Sequence, residues 1–534
     1  MMKHLGRKLL VALIGLIIAS IYYYVTIPAI NIHSSGFWGF ILIVVATIVI
    51  AIGIKSKVQT VQEIKKCKVL VFAMGVFLVL LVVYGVGSLL SSPIINAKKY
   101  QQLLTIDEKS FTEDFEEADF SQVPLLDKDS AELLGNRKMG SMVDMVSQFE
   151  VSDLYTQINY QGKPVRVTPL VYANPIKWLT NHSKGIPAYI KIDMTTQNTE
   201  LIKLEEGIRY SQSEYFNRNI YRHLRFKYPT YIFDDLSFEI DDNGTPYWIC
   251  PVKKFNIGLF GGQTIGKVVL CNAITGETVE YPIEECPTWV DRVYSAELLI
   301  QLYNYNGMLK NGYFNSILSQ KGCLTTTEGY NYIAMNDDVW VYTGITSVSG
   351  DESNVGFVLM NQRTMETRYY SIAGAEEYSA MASAEGQVQN LKYRATFPLL
   401  LNLGNEPTYF MALKDDAGLV KKYAMVNVQK YQIVAIGDTV SDCEKEYKRL
   451  LKENGITSQE NTSLETITGE ITKIAQGVIE GNSHYYIMIK GSDEIFDVSV
   501  VDFINIIKYD IGDTVTLEYN KGANTNTVLS LIEE

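Results

Sequence analysis

The sequence predicts a membrane-anchored α+β protein: three N-terminal transmembrane helices, an extracytoplasmic region of repeated hairpin-and-helix units, and a small C-terminal β-barrel. Three observations lead there. Charge-free apolar runs fill most of the first 91 residues, a strand-turn-strand pattern followed by a helical one recurs four times, and the tail from Ser463 holds five short strands punctuated by glycine. At 534 residues and 47% hydrophobic content, the chain is long enough for several cored domains and too apolar for disorder.

The apolar runs are Leu9 to Ile30, Phe37 to Ile54 and Val69 to Leu90. Each reaches the length of about 20 helical residues that a hydrocarbon core requires, and a helix satisfies its own backbone polar groups where water is absent. The first run is longer than the apolar core of a signal peptide, and no small-x-small cleavage site follows it. Lys3, Arg7 and Lys8 precede span one, Lys55, Lys57, Lys65, Lys66 and Lys68 lie between spans two and three, and Asn31 to Gly36 carries no cation. Cations favour the cytoplasmic side, which puts the N-terminus inside and everything after about residue 92 outside a bacterial cytoplasmic membrane. Tyr22, Tyr23, Tyr24, Phe37 and Trp38 fall where an outer aromatic belt would lie. No acid, base or amide interrupts the spans, which disfavours a transporter acting alone. Ala73, Gly75, Gly85 and Gly87 offer small residues for close helix packing.

Residues 1–68 carry eight Lys or Arg and one acid, a net of +7 against −13 for the whole chain, which leaves −20 for residues 69–534. So acidic an outer region suits cations, basic proteins or neutral polymers, and disfavours nucleic acid or a general grip on anionic lipid. Cys67 lies inside and Cys250, Cys271, Cys286, Cys323 and Cys443 outside, too sparse for a disulfide scaffold. The five His show no metal-ligand spacing and no Cys-x-x-Cys occurs, so no zinc site is expected.

Residues 93–165 are acidic and mixed and read as a stalk or entry segment, with a helical stretch near Ala131 to Val146. Beyond it, Ala188 to Leu204, Lys267 to Tyr281, Gly356 to Ile372 and Lys422 to Ile436 each run an apolar strand into Asp193, Asn272, Asn361 or Asn427, turn, and return. Asp and Asn suit such turns because their side chains bond the nearby backbone. A helical pattern follows each hairpin: Ser213 to Tyr228, Tyr294 to Leu309, the stretch holding Met381, Ala384, Val388 and Leu391, and Asp442 to Glu453. For the last, Ser441 and Glu444 form a candidate capping box.

Strands at Leu236 to Ile240, Tyr247 to Val252 and Thr408 to Leu413 complete an order of helix, strand, strand, hairpin, seen twice. That order resembles the PepSY module, most closely in Phe216 to Tyr281, which ends Asn272-Ala273-Ile274-Thr275-Gly276-Glu277, and in Ala380 to Ile436, which has Gln429-Lys430 where the Thr-Gly pair would stand. The resemblance covers about a quarter of the chain. It implies small extracytoplasmic α+β units that inhibit or hold partner proteins. The tail reads as strands Gly469 to Ile479, His484 to Ile489, Ile495 to Val500, Thr514 to Tyr519 and Val528 to Ile532, an OB-type barrel. The expected domains are 1–92 (membrane), 93–165 (entry), 166–310 and 311–455 (two PepSY-like regions) and 463–534 (barrel).

Two groups of residues are candidate sites. Arg218, Arg222 and Arg225 share a helical face that could hold an anion or an acidic partner; the competing reading pairs them internally with Asp234, Asp235, Asp241 and Asp242. Asp337, Asp338, Asp351 and Glu352 surround an apolar strand in an oxygen-rich stretch that could hold calcium, although the spacing is not that of an EF-hand and a capped turn needs no ligand. Calcium is thus the one cofactor candidate. No Gly-x-Ser-x-Gly, Ser-x-x-Lys or Cys-His pair stands in a convincing context, so no catalytic residue is assigned; Glu376-Glu377 and Glu284-Glu285 are the available paired acids.

The expectation is a non-enzymatic envelope protein, membrane-anchored through residues 9–90, that binds envelope proteins or membrane-complex subunits as a scaffold or regulator. An envelope hydrolase acting on glycan or peptide, and an accessory or sensor subunit of a membrane complex, are the alternatives.

Overall fold

The computed structural model describes residues 15, 17–56, 60–120, 122–347, 353–454, 456, 465–479, 482–500, 503–520 and 525–532. The chain divides into two units, Met1–Thr457 and Ser458–Glu534.

An apolar helix α1 (Ile17–Thr26) leads to α2 (Ser35–Lys55). A short helix α3 (Val61–Lys66), closed by a Thr60–Glu63 capping box, leads to α4 (Lys68–Leu90). The helices α2 and α4 are long and apolar enough to cross a membrane. Most of the N-terminal half of the first expected span lies outside the described residues.

After α5 (Pro93–Gln101) come four sheets, each built around a four-stranded antiparallel meander preceded by a helix; short strands extend the first (Phe149–Val151), the third (Leu324–Thr326, and Asp107–Lys109 in parallel) and the fourth (Arg394–Ala395). Sheet I follows α6 (Lys128–Gly140) and consists of β1 (Thr156–Tyr160), β2 (Lys163–Tyr172), β3 (Ile186–Asp193) and β4 (Thr199–Ile208), with α7 (Pro175–Asn181) between β2 and β3. Sheet II follows α8 (Ile220–Lys227): β5 (Ser237–Ile240), β6 (Pro246–Ile257), β7 (Gly261–Asn272) and β8 (Thr278–Pro282). Sheet III follows α9 (Ala296–Leu309) and α10 (Tyr313–Ile317): β9 (Asn331–Met335), β10 (Asp338–Ser347), β11 (Gly356–Asn361) and β12 (Thr367–Tyr370). Sheet IV follows α11 (Glu377–Gln387): β13 (Leu399–Leu403), β14 (Glu406–Lys414), β15 (Val420–Asn427) and β16 (Val434–Gly437), with α12 (Val440–Glu453) behind it.

Local chemistry repeats with the topology. In the last hairpin of every sheet one side-chain oxygen caps two backbone N–H groups: Asp193 accepts from Thr195 and Thr196 at 2.9 and 2.8 Å, Asn272 from Ile274 and Thr275 at 2.9 and 2.9 Å, Asn361 from Arg363 and Thr364 at 2.8 and 2.9 Å, and Asn427 from Gln429 and Lys430 at 3.1 and 2.8 Å. The first hairpins of sheets I, III and IV are two-residue turns with positive φ at both positions, Gln161-Gly162, Asn336-Asp337 and Gly404-Asn405. The helix after sheet IV is capped by Thr439, which accepts from Asp442 N, two residues before the expected Ser441–Glu444 box. A Thr at that position leaves Cys443, Tyr447 and Leu451 facing the core.

The sheets pack face to face in chain order, using the two-residue alternation of each strand. Trp248, Cys250, Val269 and Cys271 of sheet II share a core with Val165, Val167, Ile190 and Ile192 of sheet I. The opposite face of sheet II, through Ile249, Val268 and Leu270, meets α9 and Val341, Val358 and Met360 of sheet III. Trp340, Tyr342, Phe357 and Leu359 then face Leu400, Tyr409, Met411 and Met425 of sheet IV.

Residues 111–127, expected within a stalk, instead form a strap built into this body. Phe111, Phe115 and Val123 are buried with sheets III and IV, and Leu126 with sheet I. Leu125 N donates to Met194 O at 2.9 Å, Ala118 N to Asn402 O at 2.9 Å, and Lys414 pairs with Asp127. Phe111 and Phe115 of this acidic stretch are core residues, while Glu113, Glu116 and Glu117 are exposed.

The Ser458–Glu534 unit is a closed five-stranded barrel: β17 (Glu465–Ile479), β18 (Asn482–Ile489), β19 (Phe496–Ser499), β20 (Thr514–Asn520) and β21 (Asn526–Ile532). Strand order β17-β18-β19-β21-β20, a parallel β19–β21 pair and a 3-10 turn at Ile504–Lys508 fit an OB-type barrel.

Candidate functional site

The strap, the β1–β2 turn, β9 and β13 enclose a cleft of about 440 Å³. Asp114, Glu116, Glu117, Asp119 and Asp337 line it with Asn159, Asn336 and Asn402, and among its described lining residues there is no Lys, Arg or His. Asp114 accepts from Arg368 at 3.0 Å and from the Tyr370 hydroxyl, and Glu117 accepts from Gly404 N at 2.8 and 3.0 Å. Glu116 and Asp337 are exposed. Asn402, 3% exposed, donates to Phe115 O at 2.8 Å, while its Oδ1 is buried and has no hydrogen-bond partner. Such a cleft favours a ligand that brings positive charge and N–H donors.

Behind Asn159 lies a second set of acids, wholly enclosed. Glu239 on β5 accepts from Asp291 N at 2.9 Å, Arg292 N at 3.0 Å and Ser237 Oγ at 3.2 Å. Asp291 in turn accepts from Asn159 N at 2.7 Å, and its other oxygen has no partner. Burial pushes Glu239 up to about 7 against the pull of those N–H donors. Burial, reinforced by the Glu239 charge, raises Asp291 well above the carboxylate range. The two therefore titrate as a unit. They join sheet I to sheet II through the segment before α9, which also bonds sheet III: Val293 N and Tyr294 N donate to Gln362 O at 3.0 and 2.7 Å.

The sequence-predicted site residues scatter over the fold. Arg218 donates to His182 O at 2.6 Å, Arg225 donates to Ile27 O at 2.9 Å and also to Tyr231 O, and the Arg222 guanidinium lies 5.0 Å over the Tyr24 ring. Their partners are carbonyls and a tyrosine, whereas Asp234 pairs with Lys253 at 2.9 Å and Asp241 caps its own turn. Asp337 sits on the cleft, but Asp338 is 6% exposed and held by Arg363 at 2.6 and 2.9 Å and by Asn361 at 2.8 Å, so the two neighbours point to different environments. Asp351 and Glu352 lie outside the described residues. Among the described residues no group of three His, Cys, Asp or Glu could hold a metal ion. Glu377 is enclosed between sheets III and IV, where Asn354 donates to it at 3.3 Å and burial raises it.

Sequence reasoning missed the Glu239–Asp291 pair and the strap's role in the cleft. The one local hint was an acid within the short strand Leu236 to Ile240, where Ser237 and Glu239 alternate with apolar residues.

No family model matches the chain, and no curated protein matches it. Among solved structures, similarity is found to a Bombyx mori GH32 beta-fructofuranosidase. Its sucrose-bound mutant has 9% identity, 75% coverage of this chain, 69% of that chain and a TM-score of 0.17. A second structure of the enzyme has 9% identity, 76% and 70% coverage and a TM-score of 0.16. Scores this low carry no argument about this chain.

Proposed function

We propose that this is a membrane-anchored extracytoplasmic binding protein, a non-enzymatic scaffold or regulator whose cleft holds a cationic polypeptide segment of an envelope partner. The observation that carries this reading is the cleft itself: five carboxylates and no cationic side chain among its described lining residues. The four helix-and-meander units suit the PepSY-like, partner-holding role that the sequence resemblance implies. The carboxyls raised by burial, Glu239, Asp291 and Glu377, all lie off the cleft lining, which favours binding over acid-base hydrolysis there.

Placement outside the membrane rests on the helix ends. His33, before α2, bonds Leu259 O at 2.7 Å, and Ser91, after α4, accepts from Leu259 N and Phe260 N at 2.8 and 3.1 Å. The folded region therefore meets the cation-free loop, while Lys55, Lys65, Lys66 and Lys68 mark the opposite end. In this reading α1, α2 and α4 are the three spans.

The test is titration of the full chain in detergent with a lysine-rich peptide and with a glutamate-rich peptide of equal length. The lysine peptide alone should bind, more weakly at high salt, and Glu116→Gln with Asp337→Asn should weaken it severalfold. Equal binding by wild type and the double variant would remove the cleft from the proposal.

A further inference from the structure

The face of the folded region beside the membrane helices differs in charge and polarity from the rest of the outer chain. No Asp or Glu occurs from Leu298 to Thr327, nor from Val69 to Ile106, in an outer region carrying −20. These two acid-free stretches are neighbours in space. The helix α5 starts at Pro93, just past the end of α4, and packs against both α9 and α10. Tyr100 of α5, Ile257 at the base of the β6–β7 hairpin, Leu309 and Tyr313 form one small core, with the Tyr100 and Tyr305 rings 4.7 Å apart. The hairpin tip is itself locked to the spans. The Leu259 side chain fills the space a Cβ on Gly87 would need, 2.5 Å from Cδ1, and the Phe260 ring packs tilted against Tyr84 with centroids 5.2 Å apart. Gly75 and Gly85 have open space around them, so the glycine that needs to be small serves this hairpin.

Helix α10 is thus tied through α5 to the point where α4 ends: Tyr100, in one small core with Tyr313, donates its hydroxyl to Ser91 O at 2.6 Å. There it exposes Phe314, Ile317 and Leu318 by 68, 54 and 80%, between the exposed Lys310 and Lys321. Three large apolar side chains in five residues, flanked by cations and free of acids, make an interfacial lipid contact.

Resting on the membrane-anchored reading above, we propose that α10 is a second membrane contact: Phe314, Ile317 and Leu318 enter the phospholipid leaflet on the folded region's side, with Lys310 and Lys321 at its headgroups. The local charge reverses what the net charge implies, a general avoidance of anionic lipid. Its consequence is orientation, because a body gripped at α4 and again at α10 presents its cleft at a fixed tilt.

The experiment uses the full chain in a Cys67→Ser background, with a nitrobenzoxadiazole label at Phe314→Cys, Val82→Cys in the span, or Leu419→Cys on the far turn of sheet IV. Each is reconstituted into phosphatidylcholine–phosphatidylglycerol vesicles containing doxyl-labelled lipid. Labels at 314 and 82 should both be quenched severalfold more than the label at 419. Quenching at 82 with 314 behaving like 419 overturns the α10 contact and leaves anchoring intact. Quenching at neither 82 nor 314 overturns anchoring itself. A label at 314 shielded from both lipid quencher and aqueous iodide, in proportion to protein density, assigns the face to a second copy of the chain and overturns the proposal.

Discussion

Two groups of carboxylates lie on either side of Asn159 and have opposite fates. Glu239 and Asp291 are enclosed, 0% and 1% exposed, and answered by backbone N–H groups from sheet I and the segment before α9. Glu116 and Asp337 sit on the cleft, exposed to solvent. The residue type is the same; what differs is whether the backbone surrounds the acid with donors. An enclosed acid with donors ties strands together, because each N–H it accepts would otherwise be buried unpaired. An acid on an open rim adds almost nothing to folding and keeps its charge for a partner. Asn402 stands between these extremes, one amide end tying the strap and the other unanswered.

Truncating the enclosed member should have the largest effect. Glu239→Ala leaves Asp291 N and Arg292 N without acceptors and is expected to cost about 2 to 5 kcal/mol, read as a lowered denaturation midpoint of the full chain in detergent. A loss below about 0.5 kcal/mol would erase the distinction between the two groups.

The pH dependence should sharpen it. Glu239 rises from an ordinary 4.5 to about 7 on folding, so between these values the folded state holds more protons than the unfolded one. Asp291 is raised as well, so the pair's contribution to stability is complete below about 4.5 and declines as pH rises through about 7. Denaturation series across that range should show the decline in wild type and a flatter profile in Glu239→Gln. A wild-type profile that climbs with pH through this window would place the proton elsewhere.

This contrast also explains what the sequence could reveal. The four hairpins were legible because Asp193, Asn272, Asn361 and Asn427 act on residues two and three further along the chain, so the cause lies within the motif. Helices α9 and α12 were legible for the same reason, through their own apolar faces. The Glu239–Asp291 bond joins residues 52 apart, and the Asn402–Phe115 bond residues 287 apart, which no local pattern encodes. The strap was misread because its acids dominate its composition while Phe111 and Phe115, which place it, are few. Asp337 and Asp338 looked equivalent until a tight turn sent one to the cleft and the other to Arg363.

An intermediate effect is expected at the boundary. Asn402→Ala removes the donor to Phe115 O and should cost about 1 to 2 kcal/mol, with faster amide exchange confined to the strap around residues 114–118. Faster exchange spread over all four sheets would instead make Asn402 part of the enclosed network.

The smallest effect on folding belongs to the open rim. Glu116→Gln combined with Asp337→Asn should leave stability within about 0.5 kcal/mol of wild type, since neither acid is buried. The same pair of changes should cut affinity for a lysine-rich peptide severalfold, because removing two exposed charges from a cleft without cations lowers its potential directly. The comparison holds only if the two measurements separate: stability unchanged and binding reduced. A double variant that loses stability and binding together would mean that the rim acids also brace the strap, and the division between tying and receiving carboxylates would then run inside the cleft.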